Sequence, residues 1–465
     1  MKQISHFAPR LRIGGFFLLG LSITSLGLSL AQVDWWMLQQ RFSQQPSRLE
    51  APYRYPYNND SQPVRVNLTI APQQEIDFYQ ERVRLDPRGG LNRAGLAAAY
   101  LRMAQASNED GWYLLAEQNA RRSLASLPFF NTEAVQVLAR VAEAQHDFRE
   151  SLRLAQQLGY SSGALSLQVT SNLAVGNLTA ARQAADRLVE RDPNPATLNL
   201  QALVSVAQGK DQQALQQFRS ALEMEQSWER LSSVRTRLSL GRFYSQRGEL
   251  ERSQDLYLEA LRIIPDYPLS LVYLGQLATR RKNFQAAESY FERAQQVLKD
   301  KQTSLKTVIL VGQARLKNLQ GDRSAAAKLW QQAETLLRAS LSGTKFGHRR
   351  ELALLLLERG HPQDQQEAER LMQAEVKLRQ DAQTLDTLAL ALSRVGNWAG
   401  AQRAIDGALR SGVRDAVIVH RAGVIAAKLG DQTAANQYFQ RARAIDPAFD
   451  PQIQDLTTLT TATGS

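Results

Sequence analysis

Few residues in this chain have the types and spacing that chemistry requires. The five histidines are His6, His146, His348, His361 and His420. No two stand at metal-ligand spacing, and H-E-x-x-H does not occur. His420, alone in a helical stretch, reads as a groove or surface residue. There is no cysteine, which excludes disulfides, thiolate nucleophiles, iron–sulfur clusters, Cys-based zinc sites and an acylated lipoprotein anchor. The phosphate-cradling G-x4-G-K-[ST], the dinucleotide G-x-G-x-x-G and the nucleophile elbow G-x-S-x-G are all missing. Acidic residues alternate with basic ones along the chain, so no carboxylate pair stands out for acid–base work. Two sequons, Asn67-Leu68-Thr69 and Asn177-Leu178-Thr179, are short enough to arise by chance. The expectation is no catalytic site, no metal and no cofactor.

What remains is charge. The net charge is +11 and the pI about 9.8. The excess is largely arginine, spread in singles and in pairs such as Arg121-Arg122, Arg280-Arg281 and Arg349-Arg350. No basic stripe with interleaved aromatics occurs, so nucleic acid is not expected as a partner, and no small-molecule substrate is evident. The plain reading is solvated helix faces.

The first 32 residues read as an address. Residues 13–31 are apolar or small and carry no charge, and Lys2, Arg10 and Arg12 precede them. About 19 residues at ~1.5 Å each just cross a hydrocarbon core of roughly 30 Å. The basic flank would keep the N-terminus cytoplasmic, and Trp35 and Trp36 follow at interface depth. Two readings stay open. A cleaved leader would use Ser29-Leu30-Ala31; the length of the run favours an uncleaved anchor. Both place the rest of the chain outside the cytoplasm, in a periplasm, a thylakoid lumen or at a cell surface. Residues 33–75, with Pro46, Pro52, Pro56, Pro63 and Pro72, read as an extended spacer.

Beyond the spacer the chain is periodic. Leu240, Gly241, Tyr244, Gly248, Ser253, Tyr257, Ala260 and Pro265 are followed 34 residues later by Leu274, Gly275, Ala278, Lys282, Ala287, Phe291 and Ala294. The frame returns at Ala202, Gly209, Ala214, Phe218 and Ala221; at Ala389, Gly396, Ala401, Ile405 and Ala408; and at Gly423, Gly430, Ala435, Phe439 and Ala442. Small residues at facing positions let two helices pack closely. A glycine between them suits a left-handed cap, and the polar residue after it, as in Asp322 or Asp431, can cap the second helix. Pro193, Pro265 and Pro447 end second helices.

This frame resembles the tetratricopeptide repeat family, whose pattern is W-x2-L-G-x2-Y, A-x3-F, A and P over 34 residues. Arg237 stands where the family has its first Trp. The resemblance implies an all-α fold, a right-handed superhelical solenoid of helical hairpins, preceded here by one transmembrane or signal segment. Residues 76–162 read as degenerate N-terminal hairpins, 163–447 as the repeat solenoid and 448–465 as a flexible tail.

In that family the first helices line a groove for peptides. Carried onto this frame, the groove residues are Arg235, Leu238, Arg242 and Gln246, then Gln276, Thr279 and Arg280, then Arg315 and Asn318. The preceding repeat offers Leu203 and Val206. Arginines from three successive repeats suit carboxylates on an acidic segment. No Lys is followed at x3 by Asn, so the family's carboxylate clamp for chaperone tails is not expected. The implied function is a membrane-anchored scaffold for other proteins, held by residues 13–31. The alternatives are an accessory subunit of a polysaccharide, glycosyl-transfer or secretion complex, and a soluble exported binding protein after leader cleavage.

Overall fold

The computed structural model describes residues 68–454 except 108, 227–228, 300, 302 and 344–347. The apolar segment 13–31, most of the spacer and the end of the tail lie outside the described residues. Chain contacts divide the protein into residues 1–51 and 52–465, and the description below concerns the second unit. Among the described residues no helix is long and apolar enough to cross a membrane.

The described residues form twenty-two α-helices and no strand. An opening helix, α1 (Ile70–Leu85), is followed by ten antiparallel hairpins. The first five are α2 (Gly90–Ser107) with α3 (Gly111–Ser126), α4 (Thr132–Ala144) with α5 (Phe148–Gln157), α6 (Ser162–Ala174) with α7 (Leu178–Arg191), α8 (Pro195–Ala207) with α9 (Asp211–Glu223), and α10 (Arg230–Ser245) with α11 (Leu250–Ile263). The last five are α12 (Pro268–Arg280) with α13 (Phe284–Val297), α14 (Leu305–Leu319) with α15 (Arg323–Gly343), α16 (Arg349–Arg359) with α17 (Pro362–Glu375), α18 (Ala382–Arg394) with α19 (Trp398–Leu409), and α20 (Ala416–Lys428) with α21 (Gln432–Ile445). A one-turn helix, α22 (Pro451–Gln454), ends the described chain.

The small residues of the frame lie where helices touch. A Cβ on Gly241 would sit 2.4 Å from the Tyr257 ring, and one on Gly423 would sit 2.6 Å from the Phe439 ring. Phe291 is held between Gly275 of its own hairpin and Gly312 of the next. Ala214, Ser253, Ala287, Ala401 and Ala435 are fully buried on the facing helices. Helix starts are capped as their residue types require: Asp322 accepts from the Ala325 amide and Asp431 from that of Ala434, both at 2.9 Å. Asn194 forms a complete capping box with Thr197.

Two boundaries differ from the expectation. Helix α1 begins at Ile70, inside the stretch read as spacer, because Pro72 falls in the first turn, where its missing N–H is no loss. After Pro447 the chain stays ordered through α22, with Ile453 buried. Helix α15 runs to 21 residues.

Arg237, standing in place of the family tryptophan, is fully buried. It donates to both carboxylate oxygens of Glu225 and lies 3.3 Å from Glu259.

Candidate functional site: the channel of a closed superhelix

The hairpins coil until the turn inside one hairpin meets the loop that follows the fifth hairpin after it. This contact repeats five times. Glu109, in the first hairpin's turn, bridges to Thr303. The ring of His146, in the second, lies 6.4 Å from that of His348. In the third, the Ala174 carbonyl accepts from the Gln380 amide at 2.9 Å. In the fourth, Asp211 pairs with Arg414 at 3.0 Å. In the fifth, the Gly248 turn lies against Asp446 and Pro447. One superhelical turn therefore takes between five and six hairpins, and successive turns form a seam.

The seam converts the groove into an internal channel of two chambers. The first is about 770 Å³ and is lined by Tyr257, Tyr267, Tyr273, Leu269, Val308 and Val311, among others. The second is about 1150 Å³ and contains Leu203 and Val206. Both are lined by His146, Arg242, Gln246 and Asp415, so they are continuous there.

Within this channel the expected groove residues divide. Arg242, Gln246, Gln276, Thr279, Arg280 and Arg315 line the first chamber. Leu238 does not: it is buried in a core with Val234, Tyr257 and Leu277, because the next hairpin closes over it. Asn318 is half-buried outside both chambers, and Arg235 is exposed beside the Tyr267 hydroxyl.

The arginines also differ in what they face. Arg280 grips both oxygens of Asp446, at 2.6 and 2.5 Å, and donates to the Ser245 carbonyl. Arg315 makes a two-pronged pair with the buried Glu358, at 2.8 and 3.0 Å. Both therefore serve the structure. Arg242 lies over the Tyr273 ring, 5.8 Å from its centre. Its side chain is reached by solvent, yet Tyr273, Tyr257 and Asp415 surround it from three parts of the chain. That is the setting of a charged residue facing an open channel. Tyr273 foremost holds its pKa above the ordinary arginine value, so it stays charged.

Charge is uneven along the channel. The first chamber holds Arg242, Arg280 and Arg315 against Glu351, Glu358, Asp415 and Asp446. The second holds Lys210, Arg242, Arg350, Arg379, Arg410 and Arg414 against Glu143, Asp381 and Asp415. Residues at the seam, Lys210, Arg410 and Arg414, thus add cationic surface that does not come from the first helices. Nothing periodic marks them. Among the described residues no group of His, Asp or Glu is arranged to hold a metal ion.

The tetratricopeptide repeat family matches this sequence at residues 167–229, 199–268, 238–300 and 387–448. These segments are tetratricopeptide repeats. The hairpins from α2 to α5 and from α14 to α17 lie outside the matched segments but continue the same stack of helical hairpins. Similar solved structures include a tetratricopeptide repeat protein from Parabacteroides merdae, with 16% identity, a TM-score of 0.39, and coverage of 57% of this chain and 93% of that one. A human IFIT1 dimer with PPP-AAAA has 15% identity and a TM-score of 0.44, covering 81% and 87%. The APC/C hetero-tetramer Cut9–Hcn1 has 15% identity and a TM-score of 0.39, covering 92% and 82%. No curated protein matches the sequence.

Proposed function

We propose that this protein is a membrane-tethered scaffold whose superhelical channel takes a segment of a partner protein carrying carboxylates beside apolar residues. The observation that carries this reading is Arg242, a charged group at the junction of an apolar, tyrosine-lined chamber and a cationic one. Apolar side chains of the segment would enter among Leu269, Val308 and Val311, and its carboxylates would meet Arg242, Lys210 and Arg410. A continuous polyanion suits the channel less well, because Glu351, Glu358, Asp415 and Asp446 line the first chamber. Tethering rests on residues 13–31 and their basic flank. The tethered solenoid would then work on the extracytoplasmic side.

The test is co-purification of the tagged full-length protein from detergent, beside an Arg242→Glu variant that keeps its helical circular dichroism. A partner retained by the first and lost by the second supports the channel. Equal recovery by both moves the site elsewhere. The intact mass of the mature chain separates the anchor from a cleaved leader.

A second reading is favoured by one observation. Tyr257, Tyr267 and Tyr273 gather in one chamber, and Tyr267 and Tyr273 are only half-buried, so their rings offer stacking faces for a glycan. An accessory subunit of a glycosyl-transfer complex would use them. Binding of neutral oligosaccharides, unaffected by Arg242→Glu, would support it.

A further inference from the structure

The second contact of the seam is built from titratable side chains. Glu375, at the end of α17, is fully buried, and neither of its carboxylate oxygens has a hydrogen-bond partner. The cations nearest those oxygens are His146 Nδ1 and Arg349 Nη1, each at 3.5 Å. His348 Nε2 lies 4.0 Å from Asp110 Oδ2, beyond hydrogen-bond length. His146 Nδ1 and His348 Nε2 are themselves buried without hydrogen-bond partners. The His146 ring stacks on Phe148, with centres 5.5 Å apart.

His146 also stands in a turn position that most hairpins give to glycine, Lys282 of the sixth hairpin being another exception. The φ of His146 is +62°, against +78° at Gly176 and +69° at Gly209. A side chain held in that backbone region is disfavoured, so an observed case points toward a task for the side chain.

We propose that this contact is a proton-operated latch on the channel, closed when His146 and His348 are protonated and released when they are neutral. Both histidines line the first chamber, and His146 lines the second as well. Releasing them would open the wall between the second and eighth hairpins. The proposal regulates the channel read above as the binding surface, and so rests on that reading for its purpose but not for its measurement.

The charges around the latch fix the sign. With neutral imidazoles, Arg349 beside Glu375 and Arg350 beside Glu351 stand with Asp110 as two cations and three carboxylates, and Arg350 also lies 3.6 Å from Asp381. One proton shared by the pair balances them, and two leave an excess of one cation. The other charged neighbours are engaged or fixed. Glu143 pairs with Arg140 at 3.0 Å, Asp381 with Arg379 at 2.9 Å, and Asp147 caps α5. Arg242 lines the same chamber as a fixed cation. At His348 burial lowers the pKa, but Asp110, Glu351 and Glu375 more than offset it and the net shift is upward. A raised histidine stabilises the closed contact fully below the unfolded value near 6.5 and loses that contribution as pH rises through the folded value.

The absence of cysteine makes the test specific. Spin labels on an Arg149→Cys, Lys377→Cys variant of the full-length protein in detergent span the latch. Labels on Arg252→Cys, Gln452→Cys span the fifth seam contact as a control. The expected result is a short, single distance across the latch at about pH 5, a longer and broader one at about pH 8.5, and no change across the control. In a His146→Gln, His348→Gln background the latch pair should show the longer distance at both values. A latch distance indifferent to pH, a shift surviving the double glutamine change, or both pairs moving together as in general unfolding would each overturn the proposal. No partner is needed for the readout, so its failure leaves the binding reading untouched.

Discussion

Gly209 and Gly412 meet across the fourth seam contact so closely that a Cβ on Gly209 would lie 2.1 Å from the Gly412 carbonyl oxygen. Gly209 also has φ +69°, which a side chain adopts at a cost. Both facts act on one position, and the second belongs to every tight turn of this type. Gly209→Ala should therefore cost about 2 kcal/mol or more, beyond the ~1 kcal/mol typical of the backbone effect alone. Gly396 has φ +80° but nothing within 4 Å of its added Cβ. Gly396→Ala is the control and should cost only the backbone part. Urea midpoints compare the two, and small-angle scattering should show an enlarged radius for Gly209→Ala alone.

Arg280 and Arg242 are both channel arginines, yet their replacement should have opposite consequences. Arg280→Ala strands the buried Asp446, which is 1% exposed, and should destabilise the C-terminal hairpins by about 3–5 kcal/mol. Arg242→Ala removes no ion pair and should change stability by less than ~1 kcal/mol. Denaturation midpoints decide. A large loss at Arg242 would mean that it too is structural.

Arg237→Met should cost about 3–5 kcal/mol, since it leaves Glu225 and Glu259 in the core without their cation. Replacing all three with apolar residues of similar size should recover most of that loss. Urea midpoints of the single and triple variants check it.

Glu259 gives a pH signature. Burial pushes its pKa up to about 7 despite Arg237. The folded chain then holds a proton that the unfolded chain releases near 4.5, so stability falls as pH rises between those values. The slope from this group reaches at most ~1.4 kcal/mol per pH unit. Glu259→Gln should remove that slope, which midpoints measured at several pH values between about 4.5 and 7 would show.

The hairpins were legible because each is a local event. Gly241 under Tyr257 and Gly275 under Phe291 are steric requirements written within one repeat, and Asp322 and Asp431 announce their helices by position. The seam was not legible. Arg280 and Asp446 are 166 residues apart, and their meeting depends on a small rotation accumulated over five hairpins, which no single repeat encodes. The groove reading failed at Leu238 for a related reason: a helix face can be read from spacing, but whether the next hairpin covers it cannot. Arg280 and Arg315 line the channel, but their spacing gave no sign of Asp446 and Glu358, the carboxylates that occupy them.

The most direct test of the channel is site-specific photocrosslinking in the full-length protein. A photoreactive phenylalanine analogue replaces Gln276, in the first chamber, or Gln331, exposed on α15 outside both chambers. The account predicts that the partner crosslinks from position 276 and that the crosslink disappears with Arg242→Glu, while position 331 gives none. Crosslinking from 331 and not from 276 would show that the protein binds on its outer face, and would contradict the channel as the site.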